Sequence, residues 1–161
     1  MVQLILVLLG TQNIPFQRLI DEIKELIGKN VISSSEKIVI QAGSTQVIGS
    51  DGIEVYTQLE HRQYLDLIQI ADLVITHGGA GSIFDALQQQ KRVIALPRLL
   101  KYHEHVDDHQ LELVEKLYKD GYIIGEKTLA ESFKQIEGFS FKVYHSKQKQ
   151  MIEQIQKYIN E

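Results

Sequence analysis

Hydrophobic residues in this chain follow two patterns that alternate from one end to the other. Short unbroken apolar runs are typical of strands buried on both faces of a parallel sheet, and apolar positions three or four residues apart are typical of helices. The runs predict six strands, at residues 2–9, 36–41, 53–56, 72–76, 93–96 and 121–124. The helical spacing predicts helices at residues 15–28, 61–71, 83–90, 108–117 and 128–133, and a C-terminal helix at about 146–159.

This alternation predicts an α/β fold. Helices that connect successive parallel strands cross over with right-handed geometry, so the expected fold class is a Rossmann-like, mainly parallel sheet flanked by helices. The 161 residues suit a single domain, because that length can bury a proper core and no linker or repeat interrupts it. Thr128 is expected to be the N-cap of the helix at 128–133, with Glu131 completing a capping box.

Composition narrows the partners and the compartment. The net charge is −4 and no block rich in Lys and Arg stands out, so a nucleic-acid partner is not expected. The chain has no cysteine, which excludes disulfides and thiolate metal sites and fits the cytoplasm. The apolar start, Met1–Leu9, is too short to span a bilayer and lacks the layout of a signal peptide. We therefore expect a soluble domain that reaches a membrane only through another protein.

The candidate chemistry centres on Thr76–Asp85, T-H-G-G-A-G-S-I-F-D, between a predicted strand and a predicted helix. Its three glycines allow positive φ angles and a close approach of the backbone to a ligand. The N-terminus of the helix presents free N–H groups and a positive dipole end, which favour an anion such as a diphosphate. Ser82 is expected to cap the helix or to donate its hydroxyl to the anion. Asp85, one turn further on, suits a ribose or sugar diol.

A tight turn with a capping serine and no ligand also fits this motif. Three glycines and a serine within five residues exceed what such a turn needs, which favours the ligand. Other nucleotide and hydrolase patterns do not fit the chain, since it contains no G-x-G-x-x-G after the first strand, no G-x-x-x-x-G-K-[ST] and no G-x-S-x-G. A dinucleotide fold, a P-loop kinase and an α/β-hydrolase are therefore not expected.

Two further glycine loops follow predicted strands, at Gly10 and Gly43. Ligands of parallel sheets bind beyond the carboxyl ends of the strands, so these loops and the one at Gly78 are expected to converge on one site.

Three features have two interpretations each. A dense polar cluster suits either a metal site or a solvated, substrate-facing loop; we expect no metal, because neighbouring extended residues point in opposite directions. His77 is either a functional group beside the anion or a packed histidine. The apolar stripe Met151–Ile159, with Ile155, is either core or a docking face for a partner. The polar cluster consists of His103, Glu104, His105, Asp107, Asp108 and His109.

Three motifs together, T-H-G-G-A-G-S-I-F-D, V-I-A-L-P-R and H-V-D-D-H-Q, resemble the C-terminal, donor-binding half of glycosyltransferase family 28. The opening L-G-T-Q-N-I-P-F-Q-R-L-I resembles single-domain members in which this half is a separate polypeptide. These include paired bacterial transferases of capsule and exopolysaccharide synthesis and the catalytic subunit of the split eukaryotic dolichol-diphosphate GlcNAc transferase. The resemblance extends to about Ile124 and implies one half of a GT-B fold that binds a UDP-sugar.

The resemblance also implies residue roles. Thr11 and the segment Gly78–Ser82, which includes Gly79, Ala80 and Gly81, would bind the donor diphosphate, with Gly10 and Gln12 in the same first loop. Asp85 would bind the ribose, although it replaces the longer glutamate found in a member of the family, the peptidoglycan N-acetylglucosaminyltransferase. The donor sugar would contact Asp108, His109 and Gln110, and uracil would lie near residues 56–64.

The expected function is that of the catalytic, UDP-sugar-binding subunit of a two-component inverting glycosyltransferase that acts on a lipid-linked saccharide acceptor. Neither a cofactor nor an essential metal is implied. The general base is expected on a membrane-anchored, acceptor-binding partner subunit, with His77 and His109 as candidates in this chain. The chain would then work at the inner face of the membrane. An alternative on the same fold is a non-catalytic subunit that binds nucleotide sugars or enhances activity.

Overall fold

The computed structural model describes residues 3–147. The expected C-terminal helix beyond residue 147, with its stripe that includes Ile155 and Ile159, lies outside them. The described strands and helices alternate as the apolar pattern predicts. They are β1 (Leu4–Leu8), α1 (Gln17–Gly28), β2 (Lys37–Gln41), β3 (Ile53–Tyr56), α2 (His61–Ile70), β4 (Leu73–His77), α3 (Ala80–Gln88), β5 (Arg92–Leu96), a 3-10 turn (Leu100–Tyr102), α4 (His109–Lys119) and α5 (Leu129–Gln135).

All five strands are parallel and lie in the order β3-β2-β1-β4-β5. The register places Leu6 of β1 opposite Val39 of β2 and Val74 of β4. The chain builds outward from β1 to β3 and then crosses back to place β4 on the other side of β1. The carboxyl ends of β1 and β4 are therefore neighbours whose loops run in opposite directions, which opens a crevice between them.

Each face of the sheet has its own core, which explains the unbroken apolar runs. Along β1, Ile5 and Val7 belong to one cluster with the buried side of α1, whereas Leu6 and Leu8 belong to the other with α2 and α3. Successive side chains of a strand point to opposite faces, so a strand covered on both sides must be apolar throughout. The α/β prediction is confirmed, and within residues 3–147 no helix is long and apolar enough to cross a membrane.

The predicted sixth strand at 121–124 is wrong, because only Ile124 pairs with the sheet, through an isolated parallel bridge to Ile94. The start of this segment belongs to the turn after α4. Gly121 donates its N–H to the Tyr118 carbonyl and Tyr122 donates to Leu117, which leaves no extended run to pair. The helical prediction just beyond is confirmed.

At the N-terminus of that next helix, α5, Thr128 is the N-cap as predicted. Its Oγ1 accepts a hydrogen bond from the Glu131 N–H at 3.2 Å. A hydroxyl at this position satisfies one of the N–H groups that have no partner within the helix.

Candidate functional site

An open cleft of about 420 Å³ lies between the loops that follow β1 and β4. It stands at the point where the strand order reverses, where parallel sheets bind their ligands. The predicted Gly10 and Gly78 loops converge here. The lining residues are Gly10, Thr11, Gln12, Gln41, Leu59, His61, Tyr64, His77, Gly79, Gly81, Ser82 and Asp85.

The glycines of the β4–α3 turn permit close packing. None of the three in this motif has a positive φ, contrary to the prediction. A Cβ on Gly79 would stand 2.1 Å from Cε1 of His77, and one on Gly78 would stand 2.7 Å from Cβ of Gln110. Gly10 does have a positive φ of 81°, and a Cβ there would also press on His77, 2.7 Å from Nε2. Two of the glycines therefore leave room for the imidazole.

Helix α3 begins at Ala80, three residues earlier than predicted, with Gly79 as its N-cap. Ser82 is therefore not the cap, because it already lies within the first turn. The Gly78 N–H is not free for an anion either, since it donates to Oε1 of Gln110 at 3.1 Å. The N–H groups without an intrahelical partner are those of the first turn, from Gly79 to Ser82. The candidate anion site is therefore one residue shorter than the sequence predicts.

Asp85 lines the cleft one turn above the start of α3, with its Oδ2 held by the Tyr64 hydroxyl, which donates at 2.8 Å. Burial and the adjacent carboxylate raise the pKa of Tyr64, so the phenol stays protonated and remains a donor. The second oxygen, Oδ1, has no hydrogen-bond partner among residues 3–147, so it can accept hydrogen bonds from a ligand.

His77 closes the floor of the cleft at the end of β4 and is 7% exposed. Burial, with the Arg98 guanidinium nearby, lowers the pKa of His77 to about 4, so the ring is neutral near pH 7. Its Nδ1 lies 3.2 Å from Nε2 of Gln110. His77 is therefore a packed histidine whose ring also lines the cleft, and its role as a functional group beside an anion stays a prediction.

The expected donor-sugar residues do not line this cleft. Gln110 is buried behind the Gly78 turn, where Oε1 also accepts the Arg98 N–H at 3.1 Å. Asp108 lies along a separate cavity beside α4 and accepts the Leu100 N–H. The His109 side chain is 77% exposed and pairs with Asp107 at 2.7 Å, and that carboxylate raises the pKa of His109.

The β1–α1 loop is held from below by Arg98, which is 1% exposed. Its guanidinium donates to the carbonyls of Leu9 at 2.8 Å, Ile14 at 2.6 Å and Glu104 at 3.1 Å, and it lies 5.0 Å from the centroid of the Phe16 ring. Because Leu9 and Ile14 flank the loop, one side chain is hydrogen-bonded to both its ends. Burial lowers the pKa of Arg98, yet a guanidinium stays charged in proteins.

The third predicted loop supports the first rather than lining the cleft. Gly43 has a φ of 57°, and a Cβ on it would stand 2.6 Å from the Gly10 carbonyl oxygen. Ser44 donates to the Gln12 carbonyl at 3.0 Å, and Thr45 accepts the Phe16 N–H at 2.8 Å.

The side chains of the polar cluster at 103–109 contact several separate partners and do not converge on one point. Glu104 is buried and pairs with Arg18 at 2.9 Å, whereas His105 and His109 both contact Asp107. Among residues 3–147, no three His, Cys, Asp or Glu side chains are arranged to hold a metal ion.

Sequence reasoning missed three contributions to the site. Gln41 had a local signal, because it ends a buried strand, but the Tyr64–Asp85 hydrogen bond and the burial of Arg98 had none. The Tyr64–Asp85 hydrogen bond and the contacts of Arg98 each join elements that are separated in the chain.

Comparison with known proteins points to one family. The model of the glycosyltransferase family 28 C-terminal domain matches residues 4–160. The human UDP-N-acetylglucosamine transferase subunit ALG13 is 31% identical over 91 residues, which cover 54% of this chain and 8% of that protein. The protein of the same name from Cryptococcus neoformans var. neoformans serotype D is 42% identical over 59 residues, 36% of this chain and 28% of that protein. The matches thus span under a third of either relative.

Solved structures share the fold at low identity. An NMR solution structure of ALG13 superposes with a TM-score of 0.64 at 18% identity, covering 96% of this chain and 94% of that one. A UDP-GlcNAc 2-epimerase from Methanocaldococcus jannaschii, solved in complex with UDP-GlcNAc and UDP, superposes with a TM-score of 0.61 at 16% identity. The match covers 98% of this chain and 46% of that one. The Rossmann-like half of a GT-B fold is confirmed.

Proposed function

We propose, from the premise that this chain belongs to the glycosyltransferase family 28 C-terminal domain family, that its cleft binds the nucleotide part of a UDP-sugar. The chain would be the catalytic, donor-binding subunit of a two-component inverting glycosyltransferase. One observation carries the proposal. The first-turn amides of α3 and the carboxylate of Asp85 open into the same cleft, at the strand-order reversal.

The diphosphate would lie against the start of α3. In a transfer from a UDP-sugar, negative charge grows on the leaving UDP while the sugar carbon becomes oxocarbenium-like. The amides from Gly79 to Ser82 and the positive end of the helix dipole would stabilise that charge without a metal ion. Thr11, which lines the cleft on the side of the β1–α1 loop, would add a hydroxyl donor to the same anion.

The nucleoside would lie beyond the diphosphate, on the side of α2. Asp85 Oδ1 suits the ribose diol, because Tyr64 already occupies Oδ2. Leu59, His61 and Tyr64 line this end of the cleft and fall within the stretch expected to contact uracil. The roles of Asp108 and His109 at the donor sugar stay a prediction, since both lie outside the lining.

The acceptor side would come from a partner. The acceptor hydroxyl needs a general base, and the donor must be shielded from water. An open cleft provides neither a suitable base nor this shielding. His77 is a poor base because burial lowers its pKa to about 4, which makes the imidazole a weak proton acceptor, and its Nδ1 already faces Gln110. The word subunit in the relatives' names supports a partner, and their names make UDP-GlcNAc the first donor to test. We place the complex at the inner face of a membrane, with a lipid-linked acceptor held by a membrane-anchored partner.

Calorimetric titration tests the donor site. We expect UDP to bind in preference to ADP and GDP, and Asp85→Ala to weaken UDP roughly tenfold to hundredfold through loss of charged hydrogen bonds to the ribose. Asp66→Ala is the matched control, because Asp66 is an exposed carboxylate on α2 that does not line the cleft. Equal binding of all three nucleotides would contradict the assignment to uridine.

A transfer assay tests the dependence on a partner. The purified chain alone should transfer sugar poorly from UDP-GlcNAc to a lipid-linked saccharide, and adding the acceptor-binding subunit should restore activity. Robust transfer by the chain alone would contradict the two-component proposal. UDP binding with no gain of activity beside any partner would instead favour the non-catalytic, nucleotide-sugar-binding alternative.

A further inference from the structure

The Gln110 side chain joins two loops through one oxygen atom. Oε1 accepts the N–H of Gly78 and the N–H of Arg98, both at 3.1 Å. Backbone N–H groups can only donate, so the oxygen must face them and the orientation of the amide is determined. The other end of the amide, the NH₂ group, therefore points at His77.

This orientation determines where the His77 ring carries its proton. The Gln110 NH₂ group has no acceptor capacity, and it lies 3.2 Å from Nδ1 of His77. Nδ1 must then accept, and a neutral imidazole has its single hydrogen on Nε2. A protonated ring would set an N–H against the NH₂ group, and turning the amide over would break both backbone hydrogen bonds.

The ring is closely packed on two sides. Gly10 and Gly79 approach it so closely that a Cβ on either would stand under 3.0 Å from ring atoms. The charged or titratable groups that act on it are Arg98 and His105, and both disfavour the imidazolium. The other ring nitrogen, Nε2, lies next to Gly10 and has no hydrogen-bond partner among the described residues. It does not belong to the fully buried side-chain atoms that lack a partner.

We infer that Gln110 is a positioning residue that holds His77 in the Nε2–H tautomer, so that His77 offers the cleft an uncharged hydrogen-bond donor for its anionic ligand. The ligand half of this inference rests on the proposed function, whereas the tautomer does not. It gives Gln110 a role through His77 in place of a direct contact with the donor sugar, and it excludes His77 as the general base.

Nuclear magnetic resonance of the ligand-free, ¹⁵N-labelled full chain tests the tautomer. Long-range ¹H–¹⁵N correlations should show His77 with an unprotonated Nδ1 and a protonated Nε2, unchanged between about pH 8 and about pH 6. An Nδ1–H ring, or a mixture of both tautomers, would overturn the inference.

Gln110→Glu is the decisive variant, because one carboxylate oxygen still accepts the Gly78 and Arg98 N–H groups while the other now faces Nδ1. If Gln110 only ties the loops together, the His77 correlations stay as in the wild type. We expect instead that Nδ1 becomes protonated and that the His77 pKa rises. Unchanged correlations in a folded Gln110→Glu protein would overturn the positioning role.

Two substitutions of His77 test the donor with UDP as the probe. Gln places an amide NH₂ near the position of Nε2, and Asn places one near Nδ1. We expect His77→Asn to bind UDP roughly tenfold to hundredfold more weakly than His77→Gln. Equal affinities would overturn the donor role. If the wild type binds no UDP, the proposed function and the ligand half fail together, and the tautomer spectra still decide the role of Gln110.

Discussion

Replacing Gly79 with alanine places a methyl group where His77 already stands. The backbone of Gly79, with φ −73° and ψ 130°, suits alanine, so conformational strain adds nothing. The contact decides the outcome. The new Cβ would lie 2.1 Å from Cε1 of His77, against 3.4–4 Å for an ordinary contact, and Gly10 borders the same ring.

The cost follows from the ring's displacement. Overpacking a close-packed site costs about 1–3 kcal/mol, and losing the His77–Gln110 hydrogen bond adds about 1 kcal/mol. We expect Gly79→Ala to lower the free energy of unfolding by about 2–4 kcal/mol. Gly81→Ala is the matched control, since nothing lies within 4 Å of its new Cβ and Gly81 is already helical. Alanine there should raise stability by up to about 1 kcal/mol.

Urea unfolding of the two variants and the wild type measures both effects, and UDP titration of the folded proteins completes the test. Gly81 lines the cleft, so its methyl group should weaken UDP binding while the fold gains stability. A Gly79→Ala protein as stable as the wild type would refute the packing argument. A Gly81→Ala protein that binds UDP normally would show that the anion does not approach α3 at this residue.

Three further predictions concern stability. Arg98→Met should lower the free energy of unfolding, measured with urea, by about 3–5 kcal/mol, because three carbonyls, two of them in buried hydrogen bonds, lose a charged donor. An equally stable variant would mean that desolvation of the guanidinium cancels the gain from its hydrogen bonds. Thr45→Val should lower the free energy of unfolding by about 1–3 kcal/mol, because it leaves the Phe16 N–H without an acceptor. Thr45→Ser keeps the hydroxyl that accepts this hydrogen bond. The pKa of His77 is about 4 in the folded protein and about 6.5 in the unfolded chain, so between these pH values the unfolded chain binds more protons. This difference should lower the free energy of unfolding by about 3 kcal/mol as the pH drops from about 6.5 to about 4. Unfolding at several pH values should show a steeper fall in the wild type than in His77→Gln, because the variant keeps only the contribution of the carboxylates; identical slopes would contradict the assignment.

The elements that sequence alone predicted share a local cause. Apolar runs and helical stripes arise within one segment, so β1 to β5 and α1 to α5 all appear near their predicted places. The predicted strand at 121–124 failed because an apolar run cannot reveal that the turn after α4 uses its N–H groups. The cleft was predictable in outline, because strand-end loops must meet at one edge of a parallel sheet.

What only the tertiary structure decided involves residues distant in the chain. The motif at 76–85 indicated an anion site, and the fold revealed that Gly78 and Gly79 make room for Gln110 and His77. Composition could not show that Arg98 lies beneath the Gly10 loop. Sequence patterns report which face of an element is apolar, whereas the partner of each polar group depends on how the elements pack. Periodicity therefore determined the fold class, and packing determined which side chains line the cleft and which support it.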